Sequence, residues 1–312
     1  MAELLKNRVA LITGGARGIG KAIAENLAKN GCNIIIIDPG YTIDGNHDKK
    51  NIGDKVANDI SEKFEVETLA ITKDISNIEE INQSIKLVTN KFHTLDIVIN
   101  NAAILKDGFI FKYSIEDWKK VIDINLTGAF NIISKTSEII RNQNKEDSNY
   151  NQGRIFNIIS TAGIWGNYGQ AAYASAKSAL IGLTRVTALD LARSKITCNA
   201  IAPFAATRVT ESIIPQNTDQ EKYKKSALKI KAEYVGDLCS FLASDMGSKY
   251  SGQIFGVRAK EIFLFKQARP KHQIIRTNES MKELNEMFIK NFDKNLTPVE
   301  TDLEAFSYDP VI

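Results

Sequence analysis

Short apolar runs alternate along the chain with longer amphipathic stretches. The runs fall at residues 9–12, 33–37, 66–71, 95–99, 154–159, 196–201 and 253–257. Runs of this length that are apolar throughout predict strands buried on both faces. Between them, apolar residues recur at helical spacing near 18–29, 53–64, 77–91, 115–141, 172–193 and 232–244. Strands and helices in strict alternation predict an α/β fold: a doubly wound, seven-stranded parallel sheet, Rossmann-like, covered by helices on both sides. Segments 39–51 and 141–152 are rich in Asp, Asn, Lys and Gln, and read as solvated loops without chemistry. Beyond residue 257 the alternation stops. Residues 261–265 and 273–277 read as a short strand pair around Pro270, followed by a helix near 279–292 and a loose acidic end. The expected organisation is one nucleotide-binding and catalytic domain over 1–257, with an extension over 258–312 packed on it.

Composition narrows the function. Among 312 residues the net charge is +3, which argues against a nucleic-acid surface. No apolar run approaches the length of a bilayer span, and the N-terminus lacks a signal-peptide core. The expectation is a cytoplasmic protein with no membrane partner. Cys32, Cys198 and Cys239 sit among apolar neighbours and read as buried free thiols. His47, His93 and His272 are too dispersed to suggest a metal centre, so no metal is expected.

Candidate chemistry clusters at the ends of the strands. Thr13-Gly14-Gly15-Ala16-Arg17-Gly18-Ile19-Gly20 follows the first strand and opens a helix. Glycines let the backbone approach a pyrophosphate, which the helix N-terminus attracts. Asp38 ends the second strand, where a carboxylate accepts the hydroxyls of an adenosine ribose and repels a 2′-phosphate. Asp38 therefore argues for NAD over NADP, with Arg17 as a counterweight. Asp74 and Ile75 end the third strand, and Asn100-Asn101-Ala102-Ala103 ends the fourth; these are further cofactor candidates.

Tyr173 and Lys177, one helical turn apart, share a helix face. An ammonium there can lower the phenol's pKa and make it an acid/base near neutrality. Ser160 lies just upstream, at the end of the fifth strand, placed to donate to a reacting oxygen. Trp165, Tyr168 and Gln170 lie between them and are expected to line the substrate mouth; segment 207–232 is expected to form a lid.

Together the glycine turn, Asn-Asn-Ala-Ala, Asn125, Ser160 and Tyr173-x-x-x-Lys177 resemble the short-chain dehydrogenases/reductases, over roughly residues 5–257. The resemblance implies a nicotinamide-dependent oxidoreductase. It carries over Asn125 as holder of a water leading to Lys177, Tyr173 and Lys177 as both catalytic and cofactor-binding, and Pro203 as a cofactor contact. Asn101-Ala-Ala-Ile-Leu-Lys-Asp, residues 163–170, Cys198-Asn-Ala-Ile-Ala-Pro203 and Thr207-Arg-Val-Thr210 also resemble the (3R)-hydroxyacyl-CoA dehydrogenases of beta-oxidation and their single-domain bacterial relatives. That implies a 3-hydroxyacyl-CoA as substrate; the alternatives are a 3-oxoacyl-carrier-protein thioester, a steroid or other secondary alcohol, or a non-catalytic NAD-binding scaffold. Ala103 stands where relatives carry glycine, and Phe204-Ala205-Ala206 where they carry small polar residues. The helices over 115–141 and 172–193 carry apolar residues on more than one face, including Ile132, Ile133, Ile139, Ile140, Leu180, Ile181 and Leu183. In the family these helices meet across a two-fold axis, which implies a homodimer or homotetramer.

Overall fold

The computed structural model describes residues 4–46, 52–205, 218–275 and 280–312. The elements that build the sheet are β1 (Val9–Thr13), α1 (Gly18–Lys29), β2 (Asn33–Ile37), α2 (Ile52–Phe64), β3 (Thr68–Ile71), α3 (Ile78–Phe92) and β4 (Ile97–Asn100). The second half continues with α4 (Ile115–Ile122), α5 (Gly128–Glu146), β5 (Arg154–Ile158), α6 (Ala162–Trp165), α7 (Ala171–Leu191) and β6 (Thr197–Phe204). It closes with α8 (Thr218–Ala227), α9 (Glu233–Ala243), β7 (Ile254–Arg258), β8 (Glu261–Phe265), α10 (Met281–Asn291) and the short α11 (Asp302–Ala305).

The strands order as β3-β2-β1-β4-β5-β6-β7-β8 among the described residues, parallel from β3 to β7. Order reverses between β1 and β4, and ligands bind beyond the carboxyl ends of the strands at such a switch. Side chains alternate across the sheet into two cores. Ala10, Ile12, Ile34, Ile36, Ile97 and Ile99 face α1, α2 and α9. Leu11, Ile35, Ile37, Val98 and Ile155 face α3, α5 and α7. Each fully buried isoleucine contributes about 1.5–3 kcal/mol, so the strands bind their helices on both sides. Cys32, Cys198 and Cys239 are free and buried.

The structure departs from expectation at three places. The sheet has eight strands, because Glu261–Phe265 pairs antiparallel with β7 and does not form a hairpin of its own. Residues 273–275 carry no strand, and Arg276 and Thr277 lie outside the described residues. The long helix over 115–141 is two helices joined by a π turn at Asp123–Thr127, and α5 runs on to Glu146, through half of the expected loop. Of the expected lid, 207–217 lies outside the described residues, while α8 occupies Thr218–Ala227. Among the described residues no helix is long and apolar enough to cross a membrane.

Candidate active site

The turn after β1 is built by backbone geometry. Gly14 has φ +63° and Gly18 φ +51°, in the left-handed region that glycine adopts freely. A Cβ on Gly20 would lie 2.3 Å from the Gly14 carbonyl oxygen and 2.5 Å from Asn101 Nδ2, so only glycine fits. Asn101 Nδ2 donates to the carbonyls of Thr13 and Gly14, each at 3.0 Å. Thr13 Oγ1 accepts from the Asn101 and Ala102 amides at 3.0 and 3.1 Å. Asn101 and Ala102 are thus stitched to the turn, with Ala103 half-buried beside them.

At the start of α1, Arg17 supplies no side-chain cap, and the first turn, from Gly18 through Ile19 and Gly20, has no acidic residue. A helix end with bare N–H groups and no competing carboxylate attracts an anion. This cradle fits the pyrophosphate of a nicotinamide dinucleotide. Asp38 accepts from the Ala16 amide at 3.1 Å and the Gly40 amide at 2.9 Å, which fixes its carboxylate at the end of β2. Arg17 Nη1 donates to the Tyr41 carbonyl at 3.2 Å.

Tyr41 was not foreseen as a site residue, because it lies in the polar segment read as free of chemistry. Its hydroxyl donates to Asp74 Oδ2 at 2.8 Å. Burial, then the Asp74 carboxylate, push its phenol well above the usual range. Asp74 also accepts from the Ser76 amide at 2.8 Å, which fixes its carboxylate in the loop after β3. Ile75 is buried; its carbonyl accepts from Asn131 Nδ2 at 3.1 Å, and its side chain packs where Gly128 leaves room. Pro203 is half-buried near the end of β6, opposite Val257.

The catalytic candidates converge past the ends of β4 and β5. Asn125 lies in the π turn, 1% exposed. Its Oδ1 accepts from the Ile104 amide and its Nδ2 donates to the Ile104 carbonyl, both at 2.9 Å. The bonds of its side-chain amide thus clamp the loop that follows β4 at Ile104. Ser160 Oγ accepts from the Ala162 amide at 3.2 Å and is hydrogen-bonded to Tyr173. Lys177 is 2% exposed; its Nζ donates to the Ile158 carbonyl at 2.6 Å and lies 5.7 Å from the centre of the Tyr173 ring.

Electrostatics differ from the simple expectation of a lysine lowering a phenol. Burial pushes Tyr173 up to about 12; the Ser160 hydrogen bond opposes this, while Asp302 and Asp107 add to it. Burial also draws Lys177 down to about 8. At neutral pH the site therefore holds a protonated phenol beside a largely protonated ammonium.

The expected substrate mouth divides. Gln170 is buried, bridges to Gly108 and is hydrogen-bonded to Asp107, whose carboxyl is raised by burial. Trp165 packs against Phe265 and Phe306, with ring centres 5.6 and 5.3 Å away. Tyr168 is 80% exposed. Two residues from the end of the chain, Asp302 and Phe306, reach Thr161 and Trp165. No local pattern marks them, since Thr161 and Asp302 are 141 positions apart.

Comparison with known proteins agrees with this geometry. The family model described as short chain dehydrogenase matches residues 8–220. The chain is 36% identical over 255 residues to a 3-oxoacyl-acyl-carrier-protein reductase of Synechocystis sp., covering 81% of this chain and 96% of the relative. It is 34% identical over 257 residues to a reductase of the same description from Aquifex aeolicus, covering 81% and 96%. A solved structure of a short chain dehydrogenase from Mycobacterium avium superposes with a TM-score of 0.81 at 28% identity, over 96% of this chain and 99% of that one. The relatives from Synechocystis and Aquifex bear the description of the acyl-carrier-protein alternative and not of the acyl-CoA expectation. With the glycine turn, Ser160, Tyr173 and Lys177 set beyond the carboxyl ends of the central strands, the chain belongs to the short-chain dehydrogenase family and is a nicotinamide-dependent oxidoreductase.

Proposed function

We propose that the chain reduces the keto group of a 3-oxoacyl thioester held on acyl carrier protein, with NADH as its cofactor. The observation that carries this reading is the meeting of Tyr173, buried Lys177 and Ser160 past the end of β5. A phenol in that place can give a proton to a carbonyl oxygen, as reduction requires. A bound nicotinamide supplies the hydride chemistry. Ser160 and Tyr173 hydrogen-bond the reacting oxygen, and Tyr173 delivers the proton. Lys177, while charged, stabilises the phenolate left behind. Asn125 holds Ile104, and through it the loop that follows β4. The descriptions of the relatives from Synechocystis and Aquifex support the carrier-protein thioester. The fixed Asp38 carboxylate supports NADH, since a 2′-phosphate would face it.

The test compares the same 3-oxobutanoyl group on acyl carrier protein and on coenzyme A, each with NADH and NADPH. The expected result is a higher kcat/KM for the carrier-protein thioester and for NADH, with Asp38→Ala narrowing the cofactor gap. A preference for coenzyme A would restore the acyl-CoA substrate, and a preference for NADPH would remove Asp38 as the selector.

We infer, in addition, a homodimer. Ile132, Ile133, Ile140 and Leu180 prove to be buried in the chain's own core. Phe130 on α5, with Val186 and Leu189 on α7, is instead left exposed, Leu189 by 77%. Apolar exposure on adjacent helices suits a self-complementary interface. Light scattering should give twice the chain mass, and Leu189→Glu should reduce it; a monomeric, active protein would refute the inference.

A further inference from the structure

The end of the chain reaches the mouth of the site and is fastened there. Thr301 and Glu304 form a capping box around α11. Behind this turn the chain is pinned to β7 and β8. Buried Arg258 donates to the Tyr308 carbonyl at 2.9 Å, pairs with Glu261, and lies 4.1 Å from the centre of the Tyr308 ring. The Lys260 amide donates to the Val311 carbonyl at 3.2 Å, and Glu261 accepts from the Val311 amide at 3.3 Å.

Held in this way, the turn sets two side chains against the site. Asp302 Oδ2 accepts from Thr161 Oγ1 at 2.7 Å, one residue beyond Ser160. The ring of Phe306 meets Trp165 edge-on at 5.3 Å and Phe204, the residue after Pro203, at 4.7 Å. A carboxylate and an aromatic edge thus stand beside the hydroxyls that bind the reacting oxygen.

We propose that residues 301–308 form the outer wall of the substrate pocket, and that Asp302 and Phe306 select the substrate. A ketone or alcohol that is uncharged next to its reacting carbon, such as a thioester or ester, is admitted; one bearing a carboxylate there is turned away. The proposal rests on the reading that the site interconverts ketones and secondary alcohols. Its physical basis is charge. In a partly desolvated mouth, like charges brought side by side lower affinity by tenfold or more, on the order of 10- to 100-fold. The charged groups facing Tyr173 are Lys177 on its own helix, Asp107 on the loop after β4, and Asp302 on the end of the chain.

The test uses two probes that differ in this charge, ethyl 3-oxobutanoate and 3-oxobutanoate, with the full chain. The intact protein should strongly prefer the ester in kcat/KM. Asp302→Asn keeps the size of the side chain and an acceptor for Thr161. It should raise kcat/KM for the anion about tenfold relative to that for the ester, and move the pH profile with the ester to lower pH, because one anion beside Tyr173 is gone. Asp302→Glu should restore both the preference and the profile. Should Asp302→Asn fail to fold, Asp302→Ser carries the same expectation. Binding of both probes, followed by tryptophan fluorescence, is read in parallel. If the intact protein turns over neither probe yet its binding preference follows residue 302, the activity reading fails and the wall stands. If the preference is the same in a folded, uncharged variant, the wall is refuted whatever the turnover.

Discussion

Tyr173 has two flanks, and they are held by different forces. On the cofactor side, the glycine turn presents backbone: the Asn101 side chain holds the carbonyls of Thr13 and Gly14, and Gly20 leaves no room for a Cβ. On the side proposed for the substrate, side chains meet the end of the chain: Thr161 with Asp302, and Trp165 with Phe306. A surface made of backbone cannot be varied without loss of the turn. A surface made of side chains can be altered residue by residue while the catalytic groups stay in place. The first suits a cofactor of fixed shape, and the second suits a choice among substrates.

Removing the group where the flanks meet has the largest effect. Tyr173→Phe keeps the ring and removes the acid, so kcat should fall on the order of 10²–10⁴-fold while cofactor binding, followed by nicotinamide fluorescence, persists. Near-normal turnover would move the proton transfer elsewhere.

Lys177 tests the cost of the site. Its pKa falls from 10.5 when unfolded to about 8 when folded. Between those values the unfolded chain binds the extra proton, so this group makes stability rise with pH there. Below about pH 8 the charged, buried lysine costs about 3 kcal/mol. Lys177→Met should lower activity and remove that rise in denaturant titrations across the window; an unchanged slope would mean that the lysine is solvated.

The smallest effects separate the flanks themselves. Gly20→Ala forces a Cβ onto the Gly14 carbonyl, and should cost about 1–3 kcal/mol of global stability together with cofactor binding. Phe306→Ala should leave global stability nearly unchanged, because the ring is half-buried at the edge, yet make the last residues more susceptible to limited proteolysis. Equal losses from both substitutions would erase the contrast.

The same contrast explains what could be read from sequence. The apolar five-residue strands, the glycine turn and the Tyr173–Lys177 spacing are local patterns, and local patterns survive folding. The break in the helix over 115–141 is not local: Asn125 leaves the α-helical register at a π turn and binds Ile104 at both ends of its amide. Segment 141–152 looked like a loop by its polarity. Arg141, Gln143, Lys145 and Glu146 are nonetheless good helix formers, and Gln143 fastens the last turn of α5 to both backbone groups of Leu95. Tyr41 hid in a polar loop, and Asp302 and Phe306 hid behind sequence distance. Only the fold brings them to Asp74, Thr161 and Trp165.

The central claim is that this site reduces a ketone. The direct measurement is oxidation of NADH by the purified full chain, with and without a 3-oxobutanoyl thioester, alongside Ser160→Ala. The account predicts oxidation that depends on the thioester and falls by about 10²-fold or more in the variant. Binding of NADH without turnover of the thioester or of any other ketone would contradict it, and would leave a nucleotide-binding scaffold in place of an enzyme.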